Sequence, residues 1–311
     1  MSGAVKMPRQ VLWFFGIVLA VVATLAIVVY EQPIAFFNHL LYWQMSMAGA
    51  HSRWVTVNGI RIHYYVRGAE DAPPALLIHG LGGHAEDWRN LSQWVVESHR
   101  RVYMPDLPGF GRSDWPKDFS YSIPDEAAAM VGFMDALGLK RVDLSGWSMG
   151  GWVAQEIAIK HPDRVATLML FDSAGLHKKP AWDIALFTPT SAAQLDQLDA
   201  LLMPNPPQVP GFIARAMLRQ AREHAWVMHR AMDSMLSGKS TTDDELPQLK
   251  MPVLLVWGSE DQIIPVAEGE LMHKLVPQSE LEVVKGCGHL APVQCSDRIG
   301  PKVVQFLKGK E

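Results

Sequence analysis

The stretch DLSGWSMGGW, residues 143–152, sets Ser148 between Trp147 and Met149, with Gly146 and Gly150 two positions away on either side and Gly151 just behind. A G-x-S-x-G spacing is short enough to arise by chance, so its surroundings decide its meaning. Arg141 to Ser145 reads as an apolar strand entering the motif, and Gly150 to His161 as a helix stopped by Pro162. The glycines relieve the crowding of a sharp strand-to-helix turn. Ser148 therefore stands in the context of a nucleophile elbow.

A serine hydroxyl is a weak nucleophile unless a base takes its proton and a third group orients that base. Of 12 histidines, His289 alone follows a late strand inside a glycine-flanked turn, LEVVKGCGHL. His161 precedes the helix-stopping proline, and His224 and His229 fall on a helical stretch. His289 is the expected base. The acid is sought after the preceding strand, where VLLVWGSEDQIIP offers Asp261; Glu260 beside it and Asp172 at the end of LMLFD are rivals. A developing oxyanion needs two N–H donors, one from the residue after the nucleophile, Met149, and one from the loop after an early strand. That loop reads LLIHGLGGHAEDW and makes Leu81 the second donor, with His79 and Gly80 shaping the turn.

Outward from these residues, the chain alternates between strand-like and helix-like periods with no internal repeat. RWVTVNGIRIHYYVRG reads as two strands joined at Asn58-Gly59, and PALLIHG as a short buried strand. Further strands are expected at Arg101–Pro105, Val165–Asp172, Met251–Gly258 and Glu280–Lys285, and a helix at Ile123–Leu137 whose Pro124 suits the first turn. Apolar strands separated by helices imply a mostly parallel, eight-stranded sheet covered on both faces, an α/β fold. The core is expected over 54–174 and 251–311. Residues 175–250 interrupt the alternation with MPNPPQVP and a long helical pattern, a helical cap in which Ile213, Met217, Met228, Met232 and Met235 share one face. That stripe either packs on the body or lines a pliable acyl pocket.

Before the core, residues 11–30, VLWFFGIVLAVVATLAIVVY, carry no charge and as a helix would span about 30 Å, the hydrocarbon thickness of a bilayer. No small-residue cleavage site of a signal peptide stands out, so an uncleaved anchor is expected. Lys6 and Arg9 precede the span and the first cation after it is Arg53, which places residues 1–10 in the cytoplasm and the body outside it, periplasmic or lumenal. The juxtamembrane segment 31–53 is rich in aromatic residues and leucine; it lies on the membrane surface or packs on the body.

With 311 residues and a net charge of -4, the chain has room for a large core and no electrostatic reason to bind nucleic acid; no lysine or arginine cluster stands out as a phosphate-binding stripe. Cys287 and Cys295 are the only cysteines, too few for a disulfide framework and without the histidine spacing of a zinc site. They read as two separate small buried side chains, with a bridge in an oxidising compartment as the alternative. No metal or cofactor is implied.

With Ser148, Asp261 and His289 in that chain order, each after its own strand, the sequence resembles the α/β-hydrolase superfamily over about 54–308. HGLGG at 79–83, DLPGFGRSD at 106–114, GWSMGG at 146–151, WGSEDQIIP at 257–265 and GCGH at 286–289 look like that family's signatures in their usual order. The single N-terminal span, SMGG, an AGL stretch at 174–176 and GCGH are similar to membrane-anchored monoacylglycerol lipases and related bacterial lipases. The resemblance implies a serine hydrolase of lipid-derived esters with Ser148, Asp261 and His289 as triad and Leu81 and Met149 as oxyanion donors. Carbon-carbon bond hydrolysis or a perhydrolase reaction with the same triad, and a non-catalytic anchored binding protein, stay open beside it.

Overall fold

A computed structural model describes residues 9–309. Residues 1–8 of the expected cytoplasmic tail, Lys6 among them, lie outside the described residues. The described chain begins with α1 (Arg9–Glu31) and α2 (Pro33–Met47). Within helix α1 residues 13–28 are exposed, and its most apolar window has a mean hydropathy of 2.8. Among the described residues it is the one helix long and apolar enough to cross a membrane. Helix α2 does two things at once. Leu41 and Met45 are buried against the body, whereas Phe36, Phe37, Leu40, Trp43 and Met47 stay exposed.

An eight-stranded sheet follows in the order β1-β2-β4-β3-β5-β6-β7-β8. Its first strands are β1 (His51–Val57) and β2 (Ile60–Arg67), an antiparallel hairpin that starts inside the stretch expected to be juxtamembrane. Asn58 and Gly59 at its tip have φ of 49° and 85°, the left-handed pair that matches the twist of the flanking strands. Strand β2 also pairs antiparallel with β4 (Arg101–Pro105). The remaining pairings, through β3 (Pro74–Ile78), β5 (Val142–Trp147), β6 (Val165–Phe171), β7 (Val253–Gly258) and β8 (Glu280–Val284), are parallel. Strands β5 and β7 are buried at every position, as a sheet covered on both faces requires; β7 is apolar throughout, while Asp143 within β5 is paired with Arg100 (2.6 Å) and Thr167 (2.7 Å).

The helical layers are α3 (Arg89–Glu97), α4 (Ile123–Ala136), α5 (Met149–Lys160), α8 (Val266–Leu275), a short α9 (Ala291–Gln294) and α10 (Ser296–Lys308), with α6 (Ala192–Leu202) and α7 (Gly211–Leu236) in the insert between β6 and β7. One core cluster joins the sheet to α4, α5 and α8 through residues such as Phe133, Ile157, Trp257 and Met272. The other joins its opposite face to α3 and α10 through Leu91, Val95, Ile299 and Phe306, and takes in Met45 of α2. Each layer thus buries one apolar helix stripe against one face of the sheet.

From β3 the chain moves outward to β4 and then returns to the other side of β3 as β5. The connections after β3 and β5 therefore leave in opposite directions, and in open α/β sheets ligands bind outside the carboxyl ends of the strands at such a switch point. The loop after β3 and the turn after β5 are the two segments that the site uses.

The cysteines correct an expectation. Cys287 and Cys295 are joined in a disulfide, with Cα atoms 6.4 Å apart. The chain doubles back through the turn after β8 and the short α9, so a separation of eight residues brings them within bridging distance.

Candidate active site

Ser148 sits between the last residue of β5 and the first of α5 with φ 55° and ψ -120°. A non-glycine residue there is strained by roughly 1–3 kcal/mol, and the surroundings must hold it. They do so through its own backbone. Its N–H donates to the Phe171 carbonyl (3.0 Å), and its carbonyl accepts from Gly151 (3.0 Å), Trp152 (3.2 Å) and Ala174 (3.1 Å). The flanking glycines are sterically required. A Cβ on Gly146 would lie 2.1 Å from the Gly150 carbonyl oxygen, and one on Gly150 would lie 2.3 Å from that of Ile78.

The three residues expected to act together are in contact. Ser148 Oγ is 2.8 Å from His289 Nε2, and His289 Nδ1 is 2.8 Å from Asp261 Oδ2. Asp261 Oδ1 accepts from the N–H groups of Ile263 (2.8 Å) and Ile264 (2.9 Å), so the acid is fixed by its own loop. Both His289 and Asp261 are buried, while Ser148 is partly open. In this low-dielectric setting the carboxylate acts strongly on the imidazole it faces.

The rival acids are placed elsewhere. Glu260 is exposed, and its N–H donates to the Cys287 carbonyl. Asp172, with φ 43°, is fully buried at the end of β6, where its Oδ1 accepts from the Gly258 N–H (2.7 Å). Burial pushes its carboxyl well above the usual range, and the charge of nearby Asp261 pushes it further the same way. Asp172 thus braces the strand that leads into the acid loop.

The loop after β3 passes directly over the serine. A Cβ on Gly80 would come within 3.1 Å of Ser148 Cβ. Among the described residues, the N–H groups of Leu81 and Met149 donate no hydrogen bond, which leaves both available to a developing anion. His79 locks the loop. Its Nδ1 donates to the Gly80 carbonyl (2.8 Å) and its Nε2 accepts from the Leu107 N–H (3.0 Å), a pattern that requires the neutral ring. Burial holds its pKa below the ordinary value, in agreement. Asp106 supplies a second stitch, accepting from the N–H groups of Ala85 (2.7 Å) and Arg112 (3.0 Å) and facing His63 Nδ1 at 2.7 Å. The segments HGLGG and DLPGFGRSD are therefore two halves of one loop support.

Trp147 has a position that the sequence leaves undecided. Its Nε1 donates to the backbone carbonyl of His289 (2.8 Å), and the two rings are 5.8 Å apart. The cap reaches the site as well. Met228 of α7 lies over the loop after β3, its methyl 3.5 Å from where a Cβ on Gly82 would be. Trp182 Nε1 donates to the Ile263 carbonyl on the acid loop (2.9 Å), and the Leu202 carbonyl accepts from Leu290 beside His289 (3.3 Å). Of the methionine stripe, Met232 is buried, while Met217, Met228 and Met235 are half-buried.

Residues 75–299 match the alpha/beta hydrolase family, and the chain belongs to that family and is a hydrolase. It is 28% identical to Lipase 1 of Psychrobacter immobilis over 269 residues, covering 80% of this chain and 81% of the lipase. It is 30% identical to the 2-hydroxymuconate semialdehyde hydrolase of Pseudomonas sp. (strain CF600) over 274 residues, 82% of this chain and 93% of that enzyme. Among solved structures, a membrane phospholipase A described as a bacterial virulence factor superposes with a TM-score of 0.81 at 28% identity, covering 96% of this chain and 98% of the other.

Proposed function

We propose that this chain is a membrane-anchored serine ester hydrolase that cleaves lipid-derived esters such as monoacylglycerols through an acyl-enzyme on Ser148. The observation that carries the proposal is the unbroken relay from Ser148 Oγ through His289 to Asp261, at 2.8 Å on each link, on a strained elbow beside the N–H groups of Leu81 and Met149, which donate no hydrogen bond among the described residues. Ser148 Oγ attacks the ester carbonyl carbon while His289 Nε2 takes its proton. Asp261 holds the Nδ1–H tautomer and stabilises the imidazolium. The carbonyl oxygen, now carrying the negative charge, turns toward the N–H groups of Met149 and Leu81. As the tetrahedral intermediate collapses, His289 returns the proton to the departing alkoxide and the acyl group stays on Ser148. Water then attacks that ester with His289 as base, and the acid is released with Ser148 restored.

The membrane half of the proposal rests on α1, on the exposed apolar face of α2 and on the likeness to a membrane phospholipase A. Placing the body outside the cytoplasm agrees with the Cys287–Cys295 bridge, since such bonds persist in oxidising compartments.

The test is the purified full chain against glycerides and simple esters of graded acyl length, with Ser148→Ala as control. Ester turnover lost by roughly three or more orders of magnitude in Ser148→Ala is expected; turnover retained in a folded variant contradicts the proposal. Carbon-carbon bond hydrolysis by the same triad is the second reading, favoured by the identity to the 2-hydroxymuconate semialdehyde hydrolase. A dienol-ketone substrate turned over in preference to every ester would establish it.

A further inference from the structure

Helix α7 carries Arg215, Arg219 and Arg222, all exposed. Spaced four and then three residues apart, they stand on one face of the helix. No two of these arginines are adjacent in the sequence, so they form no basic run there; the helix collects them into one row. Among the described residues none of the three makes an ion pair, and Arg215 makes one side-chain contact, Nη2 to the Tyr30 hydroxyl at 3.4 Å. Glu223 is the only carboxylate in that half of the helix.

The place of the row is set by the N-terminal segment. Tyr30, in the last turn of α1, stacks on Phe212 in the first turn of α7 with ring centroids 5.3 Å apart. Helix α2 packs on both α1 and α7, and its Phe36, Phe37, Leu40 and Trp43 are exposed. A tyrosine at the end of an apolar span sits at the headgroup layer. The arginines start at that layer and run along the cap, with Met228 some 24 Å further on from Phe212 lying over the loop above Ser148.

We propose that Arg215, Arg219 and Arg222 bind the phosphates of anionic phospholipid headgroups and hold the cap against the bilayer from which substrate reaches Ser148. This rests on the membrane-anchored reading above. Guanidinium groups pair with phosphate oxygens through paired N–H donors, and each cation held near an anionic surface strengthens binding about fivefold, so the loss of two weakens it about 25-fold.

The test uses the full chain in lipid nanodiscs, with a bimane fluorophore on Gln220→Cys, an exposed position next to Arg219. Discs of phosphatidylcholine are compared with discs holding about a third phosphatidylglycerol, each with a trace of lipid spin-labelled on the headgroup. Quenching is expected to rise with phosphatidylglycerol, to fall back in high salt, to be lost in Arg219→Gln/Arg222→Gln, and to return in Arg219→Lys/Arg222→Lys. Unchanged turnover of a water-soluble short-chain ester in the glutamine variant shows that it folds. Equal quenching in both kinds of disc, or an undiminished response in the glutamine variant, overturns the proposal. A chain that fails to co-elute with discs overturns the anchor and the proposal together. Lipid-dependent quenching in a chain inactive on esters supports the proposal and counts against the catalytic reading.

Discussion

Replacing Cys287 and Cys295 together by serine tests how the loop that carries His289 is held. The bridge closes a ring of eight sequence steps with His289 inside it. For a ring this small, the loop-closure entropy removed from the unfolded chain corresponds to about 2.5 kcal/mol at 25 °C. In a body of this size that lowers the melting temperature by roughly 5 °C. Arg298 lies against both sulfurs at 2.8 Å and donates to the Lys285 carbonyl, so the loss also frees the side chain that clamps the turn after β8. His289 sits two residues from Cys287. Looser anchoring of that turn is therefore expected to lower kcat for a soluble ester severalfold while leaving KM nearly unchanged. The assay is thermal unfolding of the full chain in detergent, with and without a phosphine reductant, beside initial rates under the same conditions. The reduced native protein should track the double serine variant. If oxidised, reduced and substituted proteins melt together and turn over alike, the bridge has no part in holding the site.

Trp147→Phe deletes the indole N–H that the buried His289 carbonyl accepts, a loss of about 1–3 kcal/mol; steady-state kinetics should show a several-fold drop in kcat, and an unchanged kcat with reduced stability would make Trp147 a packing residue alone. Asp261→Asn keeps the shape of the acid loop but leaves His289 in the wrong tautomer, and kcat should fall by roughly 10⁴; a fall below tenfold would move the orienting role to another group. Glu126 is fully buried and, among the described residues, neither carboxylate oxygen has a partner, so burial holds its pKa well above the ordinary value, with the charge of Asp125 adding to the rise. A folded-state value above the unfolded one favours the fold fully below the unfolded value, and that contribution is lost as pH rises through the folded value. Glu126→Gln should therefore match the native protein in melting temperature near pH 4 and exceed it increasingly toward pH 8; a constant difference across that range would rule this out.

The elbow is legible because it is local: the glycine spacing, the strand before it and the helix after it lie within 20 residues of Ser148, and the elbow's steric demands fall on those same glycines. His289 and Asp261 are legible because parallel strands deliver their loops to one edge, so residues distant in sequence but each following a strand converge. Trp147 is not legible in this way. An aromatic residue at the end of a strand packs in most folds, and only the approach of the His289 carbonyl gives its N–H a partner. The disulfide escapes because eight residues do not specify a distance; α9 turns the chain back to bring the cysteines together. The arginine row escapes because it has a helical period and charge is usually sought in runs.

The most direct measurement is covalent: the full chain is exposed to a fluorophosphonate, digested, and the modified peptide identified by mass spectrometry. The phosphonyl group should appear on Ser148 alone, with labelling slowed by several orders of magnitude in His289→Ala. A label on another residue, or no label in a protein that still hydrolyses esters, would contradict Ser148 as the nucleophile.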